Sequence, residues 1–133
     1  MRIEHVAFMV ADPVAAAAWY VQHLGFTIRR ASATPPYGHF LADAGGQVMI
    51  EVYRNPKDPA GPVPDYRAMD FTALHLAFRV ADVAAERRRL LAAGATAEGE
   101  IVTTGGDQIA SLRDPWGLAL QLVRRAKPMV DAG

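Results

Sequence analysis

Two histidines and two side-chain oxygens recur in this chain at one spacing. His5 is followed forty-six residues later by Glu51, and His75 is followed at the same interval by Gln121. Each pair sits in a repeated phrase. His5-Val6-Ala7-Phe8-Met9-Val10-Ala11-Asp12 returns seventy positions on as His75-Leu76-Ala77-Phe78-Arg79-Val80-Ala81-Asp82, and Met49-Ile50-Glu51-Val52 returns as Ala119-Leu120-Gln121-Leu122. A repeat of this kind says that one structural unit is used twice. Imidazole nitrogen with carboxylate or amide oxygen suits one divalent metal: zinc, nickel, cobalt, manganese or iron(II). Two His and one carboxylate with open positions is also the iron(II) facial pattern. Taken alone, a His on a sheet face reads as a solvated polar residue. The matched spacing in both halves favours a metal site.

The elements that must position these residues follow from periodicity and from stop signals. In the first half, Ile3 to Val10 reads as a strand. Asp12-Pro13 starts a helix, with Asp as N-cap and Pro at the first helical position. Val14, Ala17, Ala18, Val21 and Leu24 follow helical spacing, and Gly25 ends the helix. Phe26 to Ala33 reads as a strand, and His39–Ala42 with Gln47 to Tyr53 as a hairpin. The second half repeats the order: strand Thr72 to Val80, a helix from Asp82 to Leu91, strand Thr96 to Thr103, and a hairpin of Gln108 to Leu112 with Leu118 to Val123. Successive strand side chains point to opposite faces. Val6, Phe8 and Val10 take a core face, which leaves His5 opposite. Val48, Ile50 and Val52 take the core face and leave Glu51 and Tyr53 opposite. Leu74, Leu76, Phe78 and Val80 oppose His75, while Leu118, Leu120 and Leu122 oppose Gln121. All four polar residues are thus expected on the sheet face away from the helices. If first and last strands are neighbours, each His sits beside its Glu or Gln, and two modules paired about a pseudo-two-fold axis would bring all four together.

The chain of 133 residues is read as a single domain. Module 1 spans about 1–54, a proline-rich linker about 55–71, module 2 about 72–124, and a loose tail 125–133. With 14 basic and 14 acidic residues the formal charge is zero, which argues against nucleic acid or a membrane surface as partner. The Arg87-Arg88-Arg89 run reads as a solvated helix face. The chain has no Cys, which excludes disulfides and fits the cytoplasm. No segment is long and apolar enough to span a membrane, and Glu4 and His5 interrupt any signal-peptide pattern.

The phrases His5-Val6-Ala7 with Asp12, Trp19-Tyr20, Leu24-Gly25-Phe26, His75-Leu76-Ala77-Phe78, and Asp114-Pro115-Trp116-Gly117 before Leu120-Gln121-Leu122 resemble a two-module member of the vicinal oxygen chelate superfamily. That superfamily includes glyoxalases, bleomycin resistance proteins and extradiol dioxygenases. The resemblance covers about residues 2 to 124. It implies an α+β fold in which two tandem βαβββ modules form a curled mixed sheet, a half-open barrel around a metal, with helices outside. It places His5, Glu51, His75 and Gln121 at the four metal positions. Many relatives have Glu where this chain has Gln121. A Glu ligand can act as a base and Gln cannot, so the role passes to Glu51.

The resemblance therefore implies a divalent-metal-dependent, glyoxalase-like lyase or isomerase. Its small substrate would chelate the metal through vicinal oxygens, with Glu51 as the catalytic residue. One alternative is an extradiol-type iron(II) dioxygenase; no distinctive second-sphere His/Tyr pair stands out, though Tyr53 and His39 could serve, a hairpin His more often being merely solvated. The other is a non-enzymic small-molecule binding or antibiotic resistance protein. Met49, Tyr53 and Arg79 share strand faces with the ligands and are the substrate-binding candidates, Arg79 for an anionic group. Trp19, Tyr20 and His23 read as packing or solvent-facing residues. Exposed first-strand edges and the habits of relatives point to a homodimer.

Overall fold

The structure is a computed structural model and describes residues 1–131; Ala132 and Gly133, at the end of the expected tail, lie outside the described residues. The chain divides into two compact units, Met1–Pro64 and one that begins at Asp65.

In the first unit, a strand β1 (His5–Met9) leads into helix α1 (Pro13–Leu24), then strands β2 (Thr27–Ala31), β3 (His39–Ala42) and β4 (Met49–Tyr53). The sheet order is β1-β4-β3-β2. β1 runs parallel to β4, and the other pairs are antiparallel, so the sheet is mixed. A parallel pair needs a crossover, and α1, β2 and β3 supply it. The start of α1 is chemical: Asp12 Oδ1 accepts the Ala15 N–H at 3.0 Å, and Pro13 occupies the first turn. Its end is conformational, because Gly25 sits at φ 70°, where a Cβ is penalised. The helix buries Pro13, Ala16, Ala17, Trp19 and Tyr20, and it leaves Val14 and Val21 exposed. The face expected from Val14, Ala18 and Val21 is therefore rotated. Two aromatic rings decide it: Tyr20 is only 1% exposed and meets Phe26 edge-on at 5.6 Å. An aromatic ring has more apolar area to bury than a Val or Ala. Phe8, Val10, Leu41, Ile50 and Val52 complete this core.

The second unit repeats the plan with β5 (Leu76–Arg79), α2 (Val83–Ala92), β6 (Thr96–Thr104), β7 (Asp107–Arg113) and β8 (Ala119–Arg124). Its sheet order is β5-β8-β7-β6, again with the first and last strands parallel. Asp82 caps α2 as Asp12 caps α1, accepting from Ala85 N at 2.9 Å. Leu112, Leu118, Leu120, Leu122, Val83 and Leu90 form the core. The β7–β8 turn is held from inside: buried Asp114 accepts the N–H groups of Trp116 and Leu118, both at 2.9 Å. Gly117, at φ 91°, admits the Arg67 side chain, which a Cβ there would strike.

Three segments differ from expectation, each for a hydrogen-bonding reason. β5 begins at Leu76, not Thr72, because Asp70 Oδ1 accepts from both Thr72 N and Thr72 Oγ1 and folds that stretch into a turn. The proline-rich stretch is organised rather than slack. Arg54 donates to the carbonyls of Pro59, Gly61 and Ala11, which satisfies loop acceptors that lack a ladder. Further on, buried Arg113 donates to the carbonyls of Tyr66, Met69 and Gly117 and pairs with Glu98, tying the short 3-10 helix Tyr66–Ala68 to β7. The start of the tail is fixed as well, since Asp107 accepts from Arg125 and from the Ala126 N–H at 2.8 Å each. The fold is α+β, two βαβββ units, as expected. Among the described residues, no helix is long and apolar enough to cross a membrane.

Candidate functional site

The site is built on the pairing of first and last strands. In the first unit, Ala7 stands opposite Glu51 and His5 opposite Met49. His5 and Ala7 share a face of β1, so His5 lies diagonal to Glu51. The contact is direct: His5 Nε2 is 3.5 Å from Glu51 Oε2. The other ring nitrogen, Nδ1, lies 3.1 Å from Glu4 Oε1. Phe40, opposite Glu51 on β3, meets the His5 ring edge-on at 5.3 Å. Gly38 lies beside Glu51, where a Cβ would make only ordinary contact with Oε1 at 3.6 Å. Neither His5 nor Glu51 is sealed from solvent; their side chains are 35% and 21% exposed.

The second unit has the same register. Ala77 stands opposite Gln121, and Gln121 also faces Ser111 on β7. His75 immediately precedes β5, and its ring stacks on Phe71 at 5.5 Å with planes 13° apart. Strand alternation holds in the last strand of each unit, where Ile50, Val52, Leu120 and Leu122 are buried and Glu51 and Gln121 are half-buried on the other face, but Val6, Val48 and Leu74, expected on the core face, are exposed.

The donor set fits a divalent ion on its chemistry. Two donors that each stand roughly 2.0–2.2 Å from one zinc-like ion lie about 3–3.5 Å apart, which is the range of the His5–Glu51 contact. A metal-bound His usually gives its second nitrogen to a carboxylate, the position that Glu4 occupies here. Each unit offers two donors, a His with a Glu or a His with a Gln. Among the described residues no group of three or more His, Cys, Asp or Glu side chains is gathered as a metal site.

Met49 and Tyr53 flank Glu51 on the same face of β4, both half-buried. Arg79 ends β5, where Nη1 donates to Val130 O at 3.2 Å. His39 does not join this face. It pairs in register with Val52, on the core side of the sheet, and its buried ring donates from Nδ1 to Tyr37 O at 2.7 Å. That corrects the assignment of His39 as a second-sphere group. Phe40 was the missed neighbour. It is one residue along the same strand, and the β3–β4 register alone identifies it. Glu4 was also missed, although its adjacency to His5 was visible.

Comparison with known proteins fits this geometry. Residues 2–122 match the model of the Glyoxalase/Bleomycin resistance protein/Dioxygenase superfamily. Among solved structures, SMU.1112c is similar at 31% identity with a TM-score of 0.71, over 93% of this chain and 98% of that one. A glyoxalase family protein from Bacillus cereus is similar at 18% identity with a TM-score of 0.78, over 92% and 93% of the two chains. TnmS3, an antibiotic binding protein from Streptomyces sp. CB03234, is similar at 22% identity with a TM-score of 0.67, over 92% and 93%. No curated protein matches the chain. With a family model that spans nearly all of its length and two βαβββ units that repeat one register, this chain belongs to the Glyoxalase/Bleomycin resistance protein/Dioxygenase superfamily.

Proposed function

We propose that this protein is a divalent-metal-dependent lyase or isomerase for a small substrate with adjacent oxygen donors, and that His5, Glu51, His75 and Gln121 are the metal ligands. The observation that carries this reading is the contact of His5 Nε2 with Glu51 Oε2; the second unit repeats the strand pairing, with Ala77 opposite Gln121 as Ala7 is opposite Glu51, and His75 lies just before β5. A bound divalent ion supplies Lewis acidity for negative charge that develops on substrate oxygens. The rest is the chain's own work. Glu51 takes the proton next to the substrate carbonyl and returns it one carbon away, since it is the one carboxylate of the four ligands. Gln121 holds its place as a neutral donor and moves no proton. Glu4 keeps the His5 ring oriented from behind. Met49, Tyr53 and Phe40 border Glu51 with apolar and aromatic surface, which positions the substrate body and reduces water at the reacting carbon. Arg79 receives an anionic substrate group.

Elemental analysis and metal titration of the purified protein test the proposal. One transition metal per site is expected, lost in both His5→Ala and His75→Ala. Glu51→Gln should retain metal and lose turnover by at least roughly a hundredfold, the usual contribution of a positioned base. Full activity in Glu51→Gln would overturn the mechanism. Bound iron with oxygen consumption on catechols would reassign the protein as a dioxygenase. A second reading is favoured by the similarity to TnmS3: the protein binds a small molecule, antibiotics included, without turnover. Failure to take up any metal would transfer the assignment to that reading.

A further inference from the structure

A cleft of about 350 Å³ opens where the parallel strands β5 and β8 end, lined by Arg79, Val80, Ala81, Arg124, Arg125 and Pro128. Three arginines line it in a chain whose formal charge is zero. Among the described residues, the one carboxylate that pairs with any of them is Asp107, which takes Arg125 Nη1 at 2.8 Å. Arg79 donates to a backbone carbonyl, that of Val130. Arg124 is exposed and has no ion pair among the described residues. Among the described residues, two of the three therefore have no carboxylate partner.

A second observation is independent of the charge count. Among the described residues, Arg125 Nε is buried and has no hydrogen-bond partner, as is also true of Arg87 Nε on α2. Guanidinium groups present planar N–H forks that match the oxygens of phosphate and carboxylate. The scaffold suits the task, because Arg79 and Arg124 stand at the ends of paired strands and Asp107 steadies Arg125 from outside.

We propose that this cleft is an oxyanion-binding site, built to take a phosphate-type group of a small molecule. The proposal extends the role given to Arg79 and names the partners of that residue. It does not require the metal. Three cations against one carboxylate favour a dianion over a monoanion, so phosphate is the preferred group.

Calorimetric titration with inorganic phosphate, and with acetate as a monoanion, tests this at constant low ionic strength and in metal-free buffer. Saturable phosphate binding at one site per chain is expected, with acetate weaker. Arg79→Gln and Arg124→Gln should each weaken phosphate binding about tenfold or more, the scale of a lost charge-assisted hydrogen bond. Arg88→Gln, on the exposed face of α2, should leave it unchanged. Thermal melts establish that the variants fold. Absence of saturable binding, or equal weakening in all three variants, would overturn the site. Since no metal is present, that outcome would leave the Glu51 mechanism standing. Loss of turnover in Glu51→Gln with phosphate binding intact would separate the two in the other direction.

Discussion

At the scale of single residues, the two halves differ where chemistry differs. Glu51 and Gln121 occupy the same register position, yet only Glu51 can accept a proton. A second carboxylate, Asp107, does structural work. The Ala126 N–H and the Arg125 guanidinium hold its carboxyl below the usual carboxylate range. A carboxyl with a depressed folded pKa contributes stability above its unfolded pKa, and that contribution is lost as pH falls through the folded value. The start of the tail should therefore stay ordered through the ordinary carboxylate titration and release only at lower pH. The Ala126 amide resonance, followed by NMR from pH 6 downward, should move with a midpoint below that of a free Asp. In Asp107→Asn that low-pH step should vanish. A midpoint at or above the free value would show that Asp107 does not anchor the tail.

At the scale of elements, both helices begin by the same device. Asp12 and Asp82 each accept a backbone N–H three residues on, at 3.0 and 2.9 Å. An N-cap carboxylate satisfies a donor that the helix itself cannot, and its loss typically costs about 1 kcal/mol. Asp12→Ala and Asp82→Ala are each expected to destabilise the protein by about that amount in urea denaturation, with no change in slope. The caps lie on helices of different units, so the double variant should be close to additive. A neutral Asp82→Ala would mean that packing of Val83 and Leu90 alone sets the start of α2.

At the scale of the whole molecule, β1 and β5 each stand at the end of the strand order of their sheets. Val6 on β1 and Ile28 on β2 are exposed apolar residues in the first unit. Exposed apolar side chains of this kind favour pairing with a second copy. We expect light scattering to give twice the 14.4 kDa chain mass at micromolar concentration. A mass of one chain at every concentration would rule the homodimer out.

Much of this molecule was legible in the residues alone. Asp-Pro and Gly signals bounded α1 to the residue, because capping and left-handed glycine are local chemistry. Period-two alternation put Glu51 and Gln121 opposite the buried Ile50, Val52, Leu120 and Leu122, because side-chain direction in a strand depends only on parity. The seventy-residue repeat implied two equivalent units. Other features needed the tertiary structure. The buried face of α1 was set by where Trp19 and Tyr20 find a core, not by the spacing of small apolar residues. His39 went to the core side, and Phe40 came to the site, through the β3–β4 register. Arg54 and Arg113 ordered segments that composition reads as loops. The cleft of Arg79, Arg124 and Arg125 exists because two strands forty-five positions apart end side by side. Local signals report what the backbone does within a few residues. Which distant side chains share a surface is decided by strand pairing, and only the folded chain records it.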